Sequence, residues 1–174
     1  MTQQELKEHN KNRKIWQICI VTDDLDKTVK EWVDIYQVGP WTISSFSDKT
    51  SEDFMVDGKP VTEPFEFKVA ISHIGDMELE IIQPVSGPNI YWDHLKRKGP
   101  GLHHIKEYFP TDTIKAEVGR YEKLGIPVTQ TGWYEKQDVH YYVDTEEKTG
   151  MILELGNCPD IKRQEGTFRV YPEK

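Results

Sequence analysis

Hydrophobic and polar positions follow the same order in two segments of the chain. In the first, residues 15–84, the apolar run IWQICIV precedes a stripe of Leu25, Val29 and Trp32 with the spacing of one helical face. Three more runs typical of strands follow, which are WTISSFS, FEFKVAISHI and MELEIIQ. The pattern predicts the order strand, helix, strand, strand, strand.

The second segment, residues 102–157, repeats this order. HHIKEYF is predicted as a strand, Ile114, Val118 and Tyr121 form a helical stripe, and the three strands that follow are VTQTGWY, DVHYYVD and MILEL. We therefore predict one α+β domain over 15–157, made of two modules joined by a linker helix at 85–101. An arm (1–14) and a tail (158–174) flank it. Residues 48–64, rich in Asp, Lys, Gly, Thr and Pro, are predicted as a long loop and a candidate lid.

Alternation within each strand assigns one face to the helices and the other to the concave side of the sheet. In the first strand, this alternation turns Trp16, Ile18 and Ile20 toward the helices. Four strands then place a side chain with a ligand atom on the concave face: Gln17, Glu80, His104 and Glu154. The same face is expected to carry Lys68, Lys106, His140 and Tyr142.

So many ionisable groups on a concave face are unfavourable unless their charge is compensated. One divalent cation, held by the four ligand candidates, would do this. One histidine nitrogen with three oxygens suits Zn, Ni, Co, Mn or Fe. The alternative is that these are ordinary strand residues facing solvent, and the spacing alone leaves that open.

Composition narrows the classes of function. A formal net charge of −8 disfavours nucleic-acid binding, and no apolar run reaches the roughly 18 residues of a membrane span. The first 14 residues lack a secretory signal, which predicts a cytoplasmic protein. Cys19 and Cys158, the two cysteines, are predicted as free thiols because they are too few for a disulfide framework or a cysteine zinc site.

Four motifs, IWQICIVTDDLDKTV, MELEIIQP, GLHHI and TGMILEL, resemble those of the vicinal oxygen chelate superfamily, which includes glyoxalase I and methylmalonyl-CoA epimerases. The resemblance implies paired βαβββ modules, a curled mixed sheet forming a cup with helices outside, and a homodimer. It implies the ligand set Gln17, Glu80, His104 and Glu154, although epimerases usually have histidine where this chain has Gln17. His103 is expected to pack beneath its strand, His73 to lie in a turn and His94 on a surface helix.

The resemblance also implies an enzyme with a small-molecule substrate. It would be a metal-dependent isomerase, epimerase or lyase that acts on a small carbonyl compound or a thioester through an enediolate or enolate. Glu154 is the expected general base and Glu80 its counterpart, while the substrate-binding candidates are Lys68, Lys106, His140 and Tyr142. A non-catalytic binding protein of the same fold is the alternative. A dioxygenase is disfavoured because its iron set would need histidine in place of Gln17.

Overall fold

The structure is a computed structural model that describes residues 1–173. Helices in this range are α1 (Gln3–Asn10), α2 (Leu25–Tyr36), α3 (Ile90–Lys98), α4 (Ile114–Lys123) and α5 (Glu146–Thr149). The strands are β1 (Ile15–Val21), β2 (Trp41–Ser47), β3 (Ser51–Val56), β4 (Lys59–Pro60), β5 (Glu66–Ile74), β6 (Met77–Ser86), β7 (Gly101–Tyr108), β8 (Val128–Tyr134), β9 (Asp138–Val143), β10 (Ile152–Gly156) and β11 (Phe168–Tyr171).

The strands form one mixed sheet in the order β11-β2-β5-β6-β1-β7-β10-β9-β8-β3-β4. Strands β2, β5, β6 and β1 come from the first module, and β7, β10, β9 and β8 mirror them from the second. The two modules meet where β1 pairs antiparallel with β7. Each of these strands pairs in parallel with the last strand of its own module, β6 or β10. The strands of the four predicted ligands are therefore the four central neighbours, β6, β1, β7 and β10.

Helices α2 and α4 cover the outer face of the sheet, and apolar residues beneath each of them form a separate core. A third apolar cluster, rich in aromatic rings, lies on the inner face. This architecture confirms the predicted α+β class, with paired modules in a curled mixed sheet and helices on its outer side. None of the helices in the described part of the chain has the length and apolar composition that a bilayer-spanning helix requires.

Helix α2 fixes the orientation of β6. The Asp24 side chain accepts a hydrogen bond from the Lys27 backbone N–H and so caps the helix start. Leu25 and Val29 are buried on the inner side of the helix, in the same cluster as Leu79 and Ile81 of β6. Since neighbouring strand residues point to opposite faces, burial of the two β6 side chains under α2 turns Glu78 and Glu80 toward the concave side.

Two segments differ from the sequence prediction. The prediction of a loop over residues 48–64 is wrong for most of its length, because β3 and β4 form a hairpin there and β3 pairs with β8 of the other module. These strands were not predicted because their sequence is polar and contains glycine, a composition that a hairpin at the edge of a sheet tolerates. The predicted tail contains β11, which pairs with β2 at the opposite edge of the sheet.

Gly87, directly after β6, is a sensitive backbone position. It has φ of +68°, and a Cβ there would lie 2.5 Å from the Pro64 carbonyl oxygen and 2.6 Å from Phe65 Cβ. We expect Gly87→Ala to lower the free energy of unfolding by about 2–4 kcal/mol, from overpacking added to left-handed backbone strain. Gly58→Ala is the matched control, since it has φ of +71° but no atom within 4 Å of its added Cβ.

Urea unfolding of both variants would measure how much more unfolding free energy Gly87→Ala loses than Gly58→Ala. Equal losses of stability in the two variants would show that the contact with Pro64 and Phe65 adds nothing to the strain of the backbone.

Candidate metal centre

Three of the four predicted ligands, Glu80, His104 and Glu154, lie together on the concave face of the sheet. His104 Nε2 is 2.8 Å from Glu154 Oε2 and 3.5 Å from Glu80 Oε2. Gln17, on the strand between β6 and β7, lines the same cavity, and its amide donates a hydrogen bond of 2.6 Å to Glu78 Oε1. All four strands thus contribute a polar side chain to this face of the sheet.

Each of these side chains has one buried atom without a hydrogen-bond partner among residues 1–173. The four atoms are Gln17 Oε1, Glu80 Oε2, His104 Nε2 and Glu154 Oε2. His104 Nε2 and Glu154 Oε2 lie close enough, at 2.8 Å, to attract each other as an ion pair. Leaving buried polar atoms without a hydrogen bond costs about 1–3 kcal/mol each, and more for charged groups, so a ligand that binds these atoms would relieve that cost.

Cys19 adds a sulfur to this centre, which the sequence analysis did not include among the ligands. Its Sγ, a Glu80 carboxylate oxygen and a His104 ring nitrogen lie within 4.8 Å of one another. Cys19 pairs in register with Glu80 on one side and His104 on the other, so it lies in the middle of that row. Burial, and then the nearby Glu80 charge, raise the pKa of the Cys19 thiol well above its usual value. Alternation had already placed Cys19 on the concave face.

Lys106 is a buried cation held by two carboxylates. Its Nζ is 3.1 Å from Glu154 Oε1 and 3.1 Å from Asp138 Oδ2. Burial alone would raise the pKa of the Glu154 carboxyl, but the charges of Lys106 and His104 outweigh burial and lower it. Burial lowers the pKa of Lys106, and the carboxylates of Asp138 and Glu154 reverse this and raise it well above the ordinary value. Glu154 and Lys106 therefore stay ionised together.

Replacing Lys106 tests this pairing. We expect Lys106→Met to lower the free energy of unfolding by about 3–5 kcal/mol, because it leaves two buried carboxylates without their cation. Lys136→Met is the matched control, since Lys136 forms an exposed ion pair with Glu52 worth at most about 1 kcal/mol. Urea unfolding measures both. A Lys106 variant as stable as the control would mean that Asp138 and Glu154 are compensated by other groups.

A bulge in β7 explains how both histidines of the GLHHI motif, His103 and His104, become buried although they are consecutive. In the pairing with β1, Cys19 faces His104 and Ile20 faces Leu102, so His103 has no opposite residue. Both rings are buried, and their Nδ1 atoms are 2.8 Å apart, which fixes the ring of His104 with Nε2 toward the centre. His103 is packed as predicted. His94 is not on the surface as predicted: it is buried in α3 against the His103 ring.

The rim of the centre holds a further carboxylate, Glu78. Burial raises the pKa of Glu78 to about 7, although Lys106 and the Gln17 amide act in the opposite direction. The ring of His73 lies 3.6 Å from its other oxygen, at the exposed end of β5 rather than in the turn predicted for it.

Above the centre lies a cavity of about 520 Å³, within the size range of small-molecule sites. Three of the four predicted substrate-binding residues, Lys106, His140 and Tyr142, line it. Burial lowers the pKa of His140 to about 4, so its ring is neutral near pH 7. The walls include the aromatic rings of Trp16, Phe46, Phe67, Tyr91 and Tyr134.

Two side chains do not lie where the alternation put them. Lys68 does not line the cavity: it pairs with Ser45 and Gln83 on the outer side, because Phe67 and Val69 turn into the aromatic cluster. The expectation for Lys68 is therefore wrong. Trp16, expected on the helix side, lines the cavity because a bulge at this point of β1 breaks the alternation.

The residues present suit a divalent ion. A histidine nitrogen, two carboxylates and an amide oxygen form a set typical of zinc and the neighbouring first-row metals, and Cys19 could add a softer ligand. Carboxylate oxygens of Glu80 and Glu154 lie within 3.5 Å of His104 Nε2, and the His104 ring is oriented from behind by His103.

Comparisons with known proteins agree with this architecture. A hypothetical protein of Bacillus halodurans C-125 superposes with a TM-score of 0.60 at 15% identity, covering 88% of this chain and 99% of that one. A Streptomyces coelicolor methylmalonyl-CoA epimerase variant in complex with 2-nitronate-propionyl-CoA gives 0.56 at 18% identity, with coverages of 87% and 98%. The Mycobacterium tuberculosis methylmalonyl-CoA epimerase gives 0.53 at 14%, with 83% and 88%. At these identities the likeness concerns the fold.

A search of curated protein sequences found no match. The model of the glyoxalase/bleomycin resistance protein/dioxygenase superfamily matches residues 16–143, which is most of the chain. This range covers both modules up to β9, and the structure supplies the paired modules and curled sheet that the sequence motifs implied. The chain belongs to the glyoxalase/bleomycin resistance protein/dioxygenase superfamily.

Proposed function

We propose that this protein is a metal-dependent isomerase, epimerase or lyase that moves a proton on the carbon next to a carbonyl or thioester group. Gln17, Glu80, His104 and Glu154 would hold one divalent ion, with Cys19 beside them. The observation that carries the proposal is that each of the four central strands has one buried ligand atom without a hydrogen-bond partner within residues 1–173, and that those of Glu80 and Glu154 lie within 3.5 Å of His104 Nε2.

The bound ion would polarise a substrate oxygen and so make the adjacent C–H more acidic. The protein's own residues would move the proton. Glu154 is proposed as the general base, because its carboxylate faces the cavity and Lys106 holds it in the charged form. A carboxylate with a lowered pKa is a weak base, so Glu154 would act only on a C–H bond already made acidic.

Glu80 is proposed as the counterpart of Glu154. Its Oε2 lies on the other side of His104 Nε2, at 3.5 Å compared with 2.8 Å for Glu154. Two carboxylates that flank one point allow a proton to leave from one side of a carbon and return from the other. His140, neutral because it is buried, and the Tyr142 hydroxyl would orient the substrate by hydrogen bonds.

The experiment that tests the proposal combines elemental analysis with proton exchange. The full chain, purified without added metal, would be analysed for bound divalent ions and then incubated in D₂O with methylmalonyl-CoA, methylglyoxal plus glutathione, and phenylpyruvate. We expect near-stoichiometric metal, and metal-dependent incorporation of deuterium into at least one of these compounds. A chain that neither contains nor takes up divalent ions would contradict the proposal.

A non-catalytic binding protein is the second candidate. The aromatic walls of the cavity and its size suit the burial of an apolar ligand without chemistry. Tight binding of a compound with no exchange and no metal would favour this reading. Iron with oxygen consumption would instead indicate the dioxygenase that the Gln17 position disfavours.

A further inference from the structure

The segment after β10 closes one side of the cavity. Residues 157–167, here called the strap, run from β10 at the centre of the sheet to β11, which pairs with β2 near its edge. The side chain of Asn157 anchors its start by accepting from the Val139 N–H and donating to the Gln137 carbonyl. Ile161 packs against the aromatic cluster of the inner face. The strap is thus part of the cavity wall.

Arg163 of the strap lines this cavity. The other four arginines of the chain, Arg13, Arg97, Arg120 and Arg169, each form an ion pair with a carboxylate. Arg163 enters none of the ion pairs formed within residues 1–173, and its Nε is buried without a hydrogen-bond partner there. A guanidinium in a cavity wall with free donors is suited to bind a carboxylate or phosphate.

The charges of the residues that line the cavity limit how many anionic groups a bound ligand can carry. Within the described chain, the lysines and arginines that line the cavity are Lys106 and Arg163, and Lys106 is already held by Asp138 and Glu154. The lining also includes five carboxylates, those of Glu78, Glu80, Asp138, Glu154 and Asp160. The protein's own side chains therefore repel an anionic group from most of the cavity and attract it beside Arg163.

A coenzyme A thioester fits this lining poorly, since its nucleotide end carries several phosphate charges and one unpaired cation is available to meet them. A small acid has one charge. Its apolar or aromatic body would contact Phe46, Phe67 and Tyr134, and its carbonyl would reach the ligands of the proposed metal centre.

We propose that Arg163 is the anion-recognition residue of the cavity, and that the substrate is a small carbonyl compound with one free carboxylate rather than a coenzyme A thioester. This rests on the proposed function, because it concerns the substrate of the same site. Arg163 is a specificity residue in this proposal and takes no part in the proton transfer.

Calorimetric titration of the full, zinc-loaded chain tests this with three probes: phenylpyruvate, its methyl ester and propionyl-CoA. The acid and the ester share the ring and both carbonyl groups and differ in charge. We expect the acid to bind more tightly than the ester and than propionyl-CoA. Arg163→Gln should weaken binding of the acid about 10- to 100-fold and leave the ester unchanged. Lys162→Gln, the same loss of charge at the exposed neighbour, should change neither.

Three results would overturn the inference. The first is that phenylpyruvate does not bind at millimolar concentration. The second is that Arg163→Gln lowers the affinity for the acid and for the ester equally, which would show a structural role for the strap. The third is that propionyl-CoA binds more tightly than the acid and does so without Arg163. The same titrations with metal-stripped protein separate the two proposals, because an Arg163-dependent preference for the acid can persist when the chain proves to bind no metal.

Discussion

Glu154→Gln is expected to slow deuterium exchange into a substrate by about 10²- to 10⁴-fold, the contribution of a positioned general base. Glutamine keeps the shape of the side chain and one carbonyl oxygen for the metal, but it cannot accept the proton. The effect should appear in the rate at saturating substrate more than in substrate affinity, since the change affects proton transfer. Exchange rates in D₂O, with bound metal quantified in the same sample, measure it.

Glu147→Gln is the matched control for this variant. Glu147 is an exposed carboxylate of α5, and the same substitution there should leave exchange and metal content unchanged. If Glu154→Gln retains both its metal and its exchange rate, Glu154 is not the base. If it loses the metal, the variant reports on Glu154 as a ligand, and loaded protein at saturating zinc must be compared instead.

Much of this site could be predicted from the sequence because strand alternation is a local property. Helix α2 and the β6 residues beneath it share an apolar pattern, which is enough to turn Glu80 to the concave side. The same reasoning put Glu154 opposite Leu155, which is buried under α4. The order of the strands in the sheet, however, was not predicted, since alternation does not tell which strands are neighbours.

The structure differs from the sequence prediction where the local hydrophobic pattern and the pairing of distant strands disagree. The β1 bulge moved Trp16 into the cavity, and the β7 bulge set two consecutive histidines inside, which a strict period of two does not allow. Lys68 was expected on the concave face with the other polar strand residues, whereas the aromatic cluster determines the orientation of β5. The hairpin over 51–60 and strand β11 depend on partners far away in sequence, β8 and β2, and no local signal marks them.

Charge balance links the two proposals. In the centre, Glu80, Glu154 and Asp138 face one buried cation, Lys106, and a divalent ion would bring this group to neutrality. The strap then contributes the unpaired Arg163 at a different part of the wall. A neutral centre and a separate cation are the arrangement expected for a ligand whose reacting carbonyl and charged end are recognised by different residues.

His104→Ala is expected to abolish metal binding, with affinity lowered by more than about 100-fold, which exceeds the usual cost of losing an outer-shell partner. His104 is the nitrogen donor between Glu80 and Glu154, so its loss leaves two like charges facing each other without the ligand that separates them. Elemental analysis of purified protein and zinc titration against a chromophoric chelator measure the affinity. His73→Ala, at the exposed end of β5, controls for the loss of an imidazole and should keep the metal.

Glu80→Ala should behave as His104→Ala does, because both would remove a ligand from one ion. If His104→Ala kept the metal while Glu80→Ala lost it, the ion would lie nearer Cys19 and Gln17 than proposed, and Glu154 would no longer be close enough to it to act as the base.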